Sequence, residues 1–173
     1  MNPDAPERLR PSIHPTYARL LCAWLRQKGF DTATIFKGTR LSWAALVHDN
    51  RFISLEQMTR LIQRGVGLTD MPWLGLDVGL ATQLSAHGAV GYAAVSSPDV
   101  RTMCQVITRY APLRLQLLDY NYREQNGQCE MSAREVTDLA DAREYIFCAN
   151  ATVLFLMIET TTGQPLSDAE VYF

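Results

Sequence analysis

No catalytic or metal-binding signature stands out in these 173 residues, and several absences narrow what the chain does. The four cysteines, Cys22, Cys104, Cys129 and Cys148, stand far apart, so neither a CxxC pair nor a Cys/His set at zinc spacing is present. His14, His48 and His87 are equally scattered, without an HExxH motif, and read as a helix start, a helix end and a turn. A glycine-rich phosphate loop, a dinucleotide fingerprint and a GxSxG nucleophile turn are all missing. The first residues, MNPDAPERLRP, hold no apolar stretch of the secretory type, which reads as a cytoplasmic chain with four reduced thiols. Nor is there an excess of one charge: 16 Lys+Arg face 18 Asp+Glu, for a net −2, unlike the basic surplus of DNA-reading domains. The longest apolar tract, Tyr145 to Ile158, falls short of the ~20 residues a bilayer span needs, so it reads as a core helix and no membrane partner is expected. Acidic residues between Glu130 and Glu144 fall at a strand end and a helix start, where the helix dipole alone accounts for them. The expectation is therefore no enzyme: no catalytic residues, no metal and no cofactor.

What is present is an ordinary globular composition, 47% apolar and 20% charged, of a length that suits one domain. Residues 1–70 carry ten cations and six acids, and residues 71–173 six and twelve, so the halves differ in sign without forming a dedicated patch. Residues 1–12 read as a flexible N-terminal arm, and 13–173 as the domain proper. Helix signals crowd the first half. Pro15 suits a first helical turn, and Tyr17, Leu20, Leu21, Trp24 and Leu25 follow helical spacing. Asp31 and Ser42 can cap short helices, and Ser54 with Gln57 spells a capping box before Leu55, Met58, Leu61 and Ile62. Asp70-Met71-Pro72 opens a helix whose expected buried face is Trp73, Leu76, Leu80 and Leu84. The small residues from His87 to Pro98 imply close backbone packing or a tight turn, and Val100, Met103, Ile107 and Tyr110 mark the next helix.

The period then changes. Leu113, Leu115 and Leu117 alternate with polar residues as in a half-buried strand, and the shift of parity to Tyr120 and Tyr122 predicts a β-bulge. Asn126-Gly127 is a hairpin turn, followed by a return strand through Ala133 and a long helix from about 138 to 161. Asp168 to Phe173 reads as a terminal strand at which the sequence stops, the expectation being a piece of a longer protein. The fold class expected is α+β: a mostly helical single domain with a small antiparallel hairpin and a terminal strand packed against helices. The 140–161 helix, apolar on more than one face, is the expected cover for the hairpin.

Polar residues set among apolar ones are the candidate site. Asn150 interrupts the last helix, and a buried amide without a partner costs ~1–3 kcal/mol. Its partner is a backbone group, a ligand or a second subunit. Tyr92, Arg114 and Tyr120 are the weaker companions, since tyrosines line pockets with an apolar body and a polar tip.

The segment from Leu74 to Leu113 resembles the N-terminal regulatory domain of AraC-type bacterial transcriptional regulators. The resemblance rests on Leu74-Gly75-Leu76, Gly79, His87-Gly88, Gly91-Tyr92-Ala93, Ser96-Ser97-Pro98 and Arg109-Tyr110, and continues to Val171-Tyr172-Phe173. It implies an effector-sensing and dimerisation domain: a small-molecule effector, a homodimer, and DNA bound only through a C-terminal helix-turn-helix domain that this sequence does not contain. The helical content argues against the cupin-like barrel of the founding arabinose regulator. A ligand-free dimerisation module is the alternative, and a small hydrolase or transferase a remote one.

Overall fold

The computed structural model describes residues 7–49, 51–167 and 169–172. Most of the expected helix starts are where their caps place them. Helix α1 (Pro15–Gln27) opens on proline, with His14 Nδ1 accepting from the Thr16 N–H at 3.2 Å. Asp31 caps α2 (Thr32–Phe36) by accepting from the Thr34 N–H at 2.8 Å. Ser54 and Gln57 form the reciprocal capping box of α3 (Leu55–Thr69), whose Leu55, Met58, Leu61 and Ile62 are buried. Ser42 accepts from the Ala45 N–H, but the helix expected after it is a single wide turn, Ala45–Asp49.

Helix α4 (Leu74–Leu80) turns the opposite way from the sequence expectation. Its buried face is Leu74, Gly75, Val78 and Gly79, while Trp73, Leu76 and Leu80 are exposed by 51%, 41% and 62%. The glycines explain it. A Cβ on Gly75 would lie 2.5 Å from the Tyr145 carbonyl oxygen, and one on Gly79 would lie 2.9 Å from the Thr152 Cβ. Backbone approach to α7 (Arg143–Thr162) thus selects the glycine face over the leucine face. Leu84 lies beyond the end of α4 in a single 3-10 turn, and α5 (Gly88–Val95) and α6 (Val100–Tyr110, capped by Asp99) follow.

The β structure corrects a second expectation. Strand β1 (Pro11–Ile13) pairs antiparallel with β2 (Ile53–Ser54), and Ile13 also bridges Leu115. The His14 N–H donates to the Arg114 carbonyl at 2.8 Å, and the Gln116 N–H to the Ser12 carbonyl at 2.9 Å. Leu115 and Gln116 therefore belong to this N-terminal pairing, while the Leu117 carbonyl accepts from the Val136 N–H at 2.9 Å at the base of the hairpin. Leu115 and Leu117 are buried, whereas Leu113 sits in a 3-10 turn and is exposed. Strand β3 (Leu118–Gln125) then pairs with β4 (Gln128–Glu135) in unbroken register, from Leu118↔Glu135 to Gln125↔Gln128. No bulge is needed: the chain passes from the N-terminal pairing to the hairpin between Gln116, which donates to Ser12, and Leu117, which accepts from Val136, and Leu117 and Leu118 are both buried there. Asn126 and Gly127 both take positive φ, 54° and 76°, as a two-residue hairpin turn requires.

Of the segment read as an N-terminal arm, residues 1–6 lie outside the described residues; Glu7–Leu9 forms one 3-10 turn before β1. Asp168 and Phe173 of the expected terminal strand are likewise outside them, and residues 169–172 form no strand. Val171 and Tyr172 are exposed there, with no core to draw them into a sheet. The remainder is the expected α+β fold, mainly helical with two small antiparallel sheets and, among the described residues, no barrel.

Buried apolar side chains form two clusters. One joins α1, α3, α4, Leu115, Leu117 and the start of α7; the other joins Ala94, Met103, Cys104, Ile107 and Met157. The apolar face of the hairpin, Tyr120, Tyr122 and Met131, packs on the second, and Tyr120 touches both. Helix α7 runs through the two. With the turn before it, α7 is long and apolar enough to cross a membrane by length and composition; here Tyr145, Ile146, Thr152 and Met157 are buried in the fold.

Candidate functional site

Three of the four residues singled out from the sequence line one groove at the seam between the two clusters. Asn150 projects from the middle of α7. Its Nδ2 donates to the Ile146 carbonyl at 2.9 Å, and its Oδ1 accepts from the Tyr120 hydroxyl at 2.5 Å. Helix-to-hairpin contact is thus made through a polar pair set in an apolar seam. Burial pushes the Tyr120 phenol well above the usual tyrosine range, so the hydroxyl keeps its proton and remains a donor.

Arg114 reaches the same groove from the 3-10 turn after α6. Its Nη2 donates to the Ala86 carbonyl at 3.1 Å, and its Nη1 stands 3.3 Å from His14 Nε2. The guanidinium lies over Gly88, where a Cβ would be 3.2 Å from Nη1, and the positive φ of 62° there also favours glycine. One cation therefore ties the start of α1 to the His87-Gly88 turn and, through its own chain, to the hairpin. Tyr92 is not part of this group: it stands on α5, 59% exposed.

Three further residues complete the cluster: His14, Tyr17 and His87. The rings of Tyr17 and His87 lie 5.8 Å apart, tilted by 51°. Burial, and then the charge of Arg114, lower the pKa of both histidines to about 4, so each imidazole is neutral near pH 7. Burial raises the Tyr17 phenol, with Arg114 opposing it. Among the described residues no carboxylate pairs with Arg114. Two polar atoms here are buried without a hydrogen-bond partner, Arg114 Nε and His87 Nε2. Elsewhere arginines on α6, the hairpin and α7 find acids, as with Arg101–Glu124, Arg123–Glu130 and Arg143–Glu135.

The sequence signal for this trio is weak. Only the pairing of Ile13 with Leu115 brings His14 to Arg114, 100 residues away, and no local spacing foretells it. No group of three or more His, Cys, Asp or Glu side chains gathers as a metal set among the described residues. The four cysteines are unpaired, and burial pushes the Cys22 and Cys104 thiols up to about 12 and 11, away from the reactive thiolate form. At its Arg114 end the groove offers hydrogen-bond donors and a positive charge with no ion-pair partner among the described residues; Arg123, Arg143, Glu130, Glu135 and Glu144 line other stretches of it.

Comparison with known proteins gives the family. The family model for the arabinose-binding domain of AraC transcription regulators, the N-terminal part, matches residues 29–173. An uncharacterized HTH-type transcriptional regulator of Mycobacterium tuberculosis is 28% identical over 163 residues, covering 92% of this chain and 46% of that protein. The ornithine utilization regulator of Pseudomonas aeruginosa is 26% identical over 157 residues, covering 91% of this chain and 46% of its own length. The chain thus spans about half the length of the curated relatives it matches. With a family model matching most of its length, the chain belongs to the family of N-terminal domains of AraC transcription regulators.

Proposed function

We propose that this domain senses a small-molecule effector for a transcription regulator, with the groove at Arg114, Tyr120 and Asn150 as the effector's seat. One observation carries the reading: partnerless donor and acceptor positions, Arg114 Nε and His87 Nε2, sit at the seam of two apolar clusters. Because α7 passes through both clusters, a ligand that prefers one setting of the seam shifts the population of that setting. In the whole regulator the shift alters how a homodimer presents C-terminal helix-turn-helix modules to DNA. Relatives named as HTH-type regulators support that step. The protein works in the bacterial cytoplasm, and the domain acts without catalysis, metal or cofactor. The family description names arabinose; sugar hydroxyls accept from a guanidinium but supply no counter-charge to Arg114.

The test is a thermal screen of metabolites on the purified domain, with L-ornithine, suggested by one relative's name, among the first compounds. A ligand at 100-fold over its Kd stabilises by ~2.7 kcal/mol. At ~2–4 °C per kcal/mol for this size, Tm rises by about 5–10 °C. The same compound then changes operator binding by the full-length protein. If no metabolite stabilises the domain, the sensing reading falls and the second reading stands, a ligand-free dimerisation module. The exposed stripe of Trp73, Leu76 and Leu80 favours that alternative, and loss of dimer in Leu76→Glu/Leu80→Glu, read by light scattering, is its check.

A further inference from the structure

We infer that the effector is a monocarboxylate whose carboxylate seats on Arg114 while its apolar body lies along Tyr17, Leu20, Val90 and Val153. The inference rests on the groove being the effector seat and adds the chemical class of the occupant.

Around Arg114, donors outnumber acceptors. A guanidinium carries five N–H donors and no acceptor. Arg114 uses one on the Ala86 carbonyl, turns another toward His14 and has the Tyr17 hydroxyl beside it, yet its Nε–H is left without a partner. His14 cannot satisfy both of its neighbours. Its Nδ1 faces the Thr16 N–H and its Nε2 faces Arg114 Nη1, yet a neutral imidazole accepts at only one nitrogen. With Nδ1 accepting, the proton sits on Nε2 and points at a guanidinium proton. With Nε2 accepting, the N-cap of α1 is lost. Either way a donor confronts a donor. Protonating the ring makes both nitrogens donors and adds a second cation, which the lowered pKa opposes.

An acceptor with negative charge resolves all of this at once. A carboxylate takes the free Nε–H and a second guanidinium N–H in the bidentate geometry for which arginine is suited. It also supplies an acceptor for a proton on His14 Nε2 or His87 Nε2. A cation is excluded by Arg114, and a neutral ligand leaves the half-buried charge uncompensated. The ligand's other end is set by the wall: Leu20 lies one turn on from Tyr17, Val90 one turn on from His87, and Val153 one turn on from Asn150.

The experiment uses the purified wild-type domain with straight-chain monocarboxylates of four to ten carbons and with benzoate and phenylacetate, each paired with its own primary amide. Charge-assisted bonding predicts at least about a tenfold lower Kd for an acid than for its amide, by calorimetry and thermal shift. In Arg114→Gln the preference should fall to within about twofold, as expected when the charged partner is gone. The acid–amide comparison is made on the wild type, so it stands even if the variant folds poorly. Equal binding of acid and amide overturns the inference, as does an acid preference that persists in Arg114→Gln. A neutral or cationic effector that seats in this groove overturns it while leaving the sensing function intact. If none of these acids binds, the inference falls; the sensing function falls with it only if the metabolite screen also yields no stabilising compound.

Discussion

The hydrogen bond between Tyr120 and Asn150 is the contact whose removal tests the seam most cleanly. Tyr120→Phe deletes the hydroxyl and leaves Asn150 Oδ1 facing an apolar wall without its 2.5 Å partner. Leaving such a group unpaired costs ~1–3 kcal/mol, so Tm should fall by roughly 2–12 °C at ~2–4 °C per kcal/mol. Asn150→Leu has the converse effect, stranding the Tyr120 hydroxyl. It does not strand the Ile146 carbonyl, which keeps the helical N–H of residue 150 as a donor. Combining both changes removes donor and acceptor together, so the double variant should be more stable than the sum of the singles implies, by ~1–3 kcal/mol. Urea denaturation of the four proteins, with an unchanged m-value, reads this directly. Simple additivity would refute the pair as a unit. An effector response that survives in the double variant would remove Asn150 from the ligand contacts, leaving it a structural role.

Two further outcomes follow from the packing and the electrostatics. Gly75→Ala must push a methyl against the Tyr145 backbone and should destabilise by ~1–3 kcal/mol, whereas Gly67→Ala in α3, with open space around it, should stabilise by ~0.5–1 kcal/mol; thermal melts showing the same sign for both would contradict the α4–α7 contact. His87 has a folded pKa of about 4 against ~6.5 unfolded, so the unfolded chain binds the extra proton between those values and its stabilising contribution, complete above pH ~6.5, is lost as pH falls toward 4. The loss attributable to His87 between pH 6.5 and 5 is about 1.5 kcal/mol at ~1.4 kcal/mol per pH unit, and His87→Gln should lessen the slope, His14 with its like shift supplying the rest; an equal slope in the variant would contradict the assignment.

How far the molecule could be read in advance depended on whether the deciding contact was local. Caps and turns are local, so Pro15, Asp31, Ser54–Gln57, Asp99 and Asn126-Gly127 stand where their chemistry placed them. Asn150 stands out in the sequence because it breaks an apolar run, and Arg114 and Tyr120 because they are polar side chains among the leucines at and before the hairpin. His14, Tyr17 and His87 do not, because a pairing across 100 residues brings them to Arg114. The α4 face was misread for a different reason. A leucine stripe scores as apolar, but Gly75 and Gly79 gain more by letting two backbones meet, a preference that hydrophobic periodicity does not register.

The most direct test of the effector seat is an NMR titration of the ¹⁵N-labelled domain with the compound that the thermal screen selects. The expected result is that the largest shifts fall on the amides of His14, Tyr17, His87, Arg114, Tyr120 and Asn150 and on the Arg114 side-chain Nε–H, which is without a partner before the ligand binds. Shifts confined to the exposed α4 stripe of Leu76 and Leu80, or to the hairpin tip at Asn126-Gly127, with the Arg114 Nε–H unmoved, would contradict it.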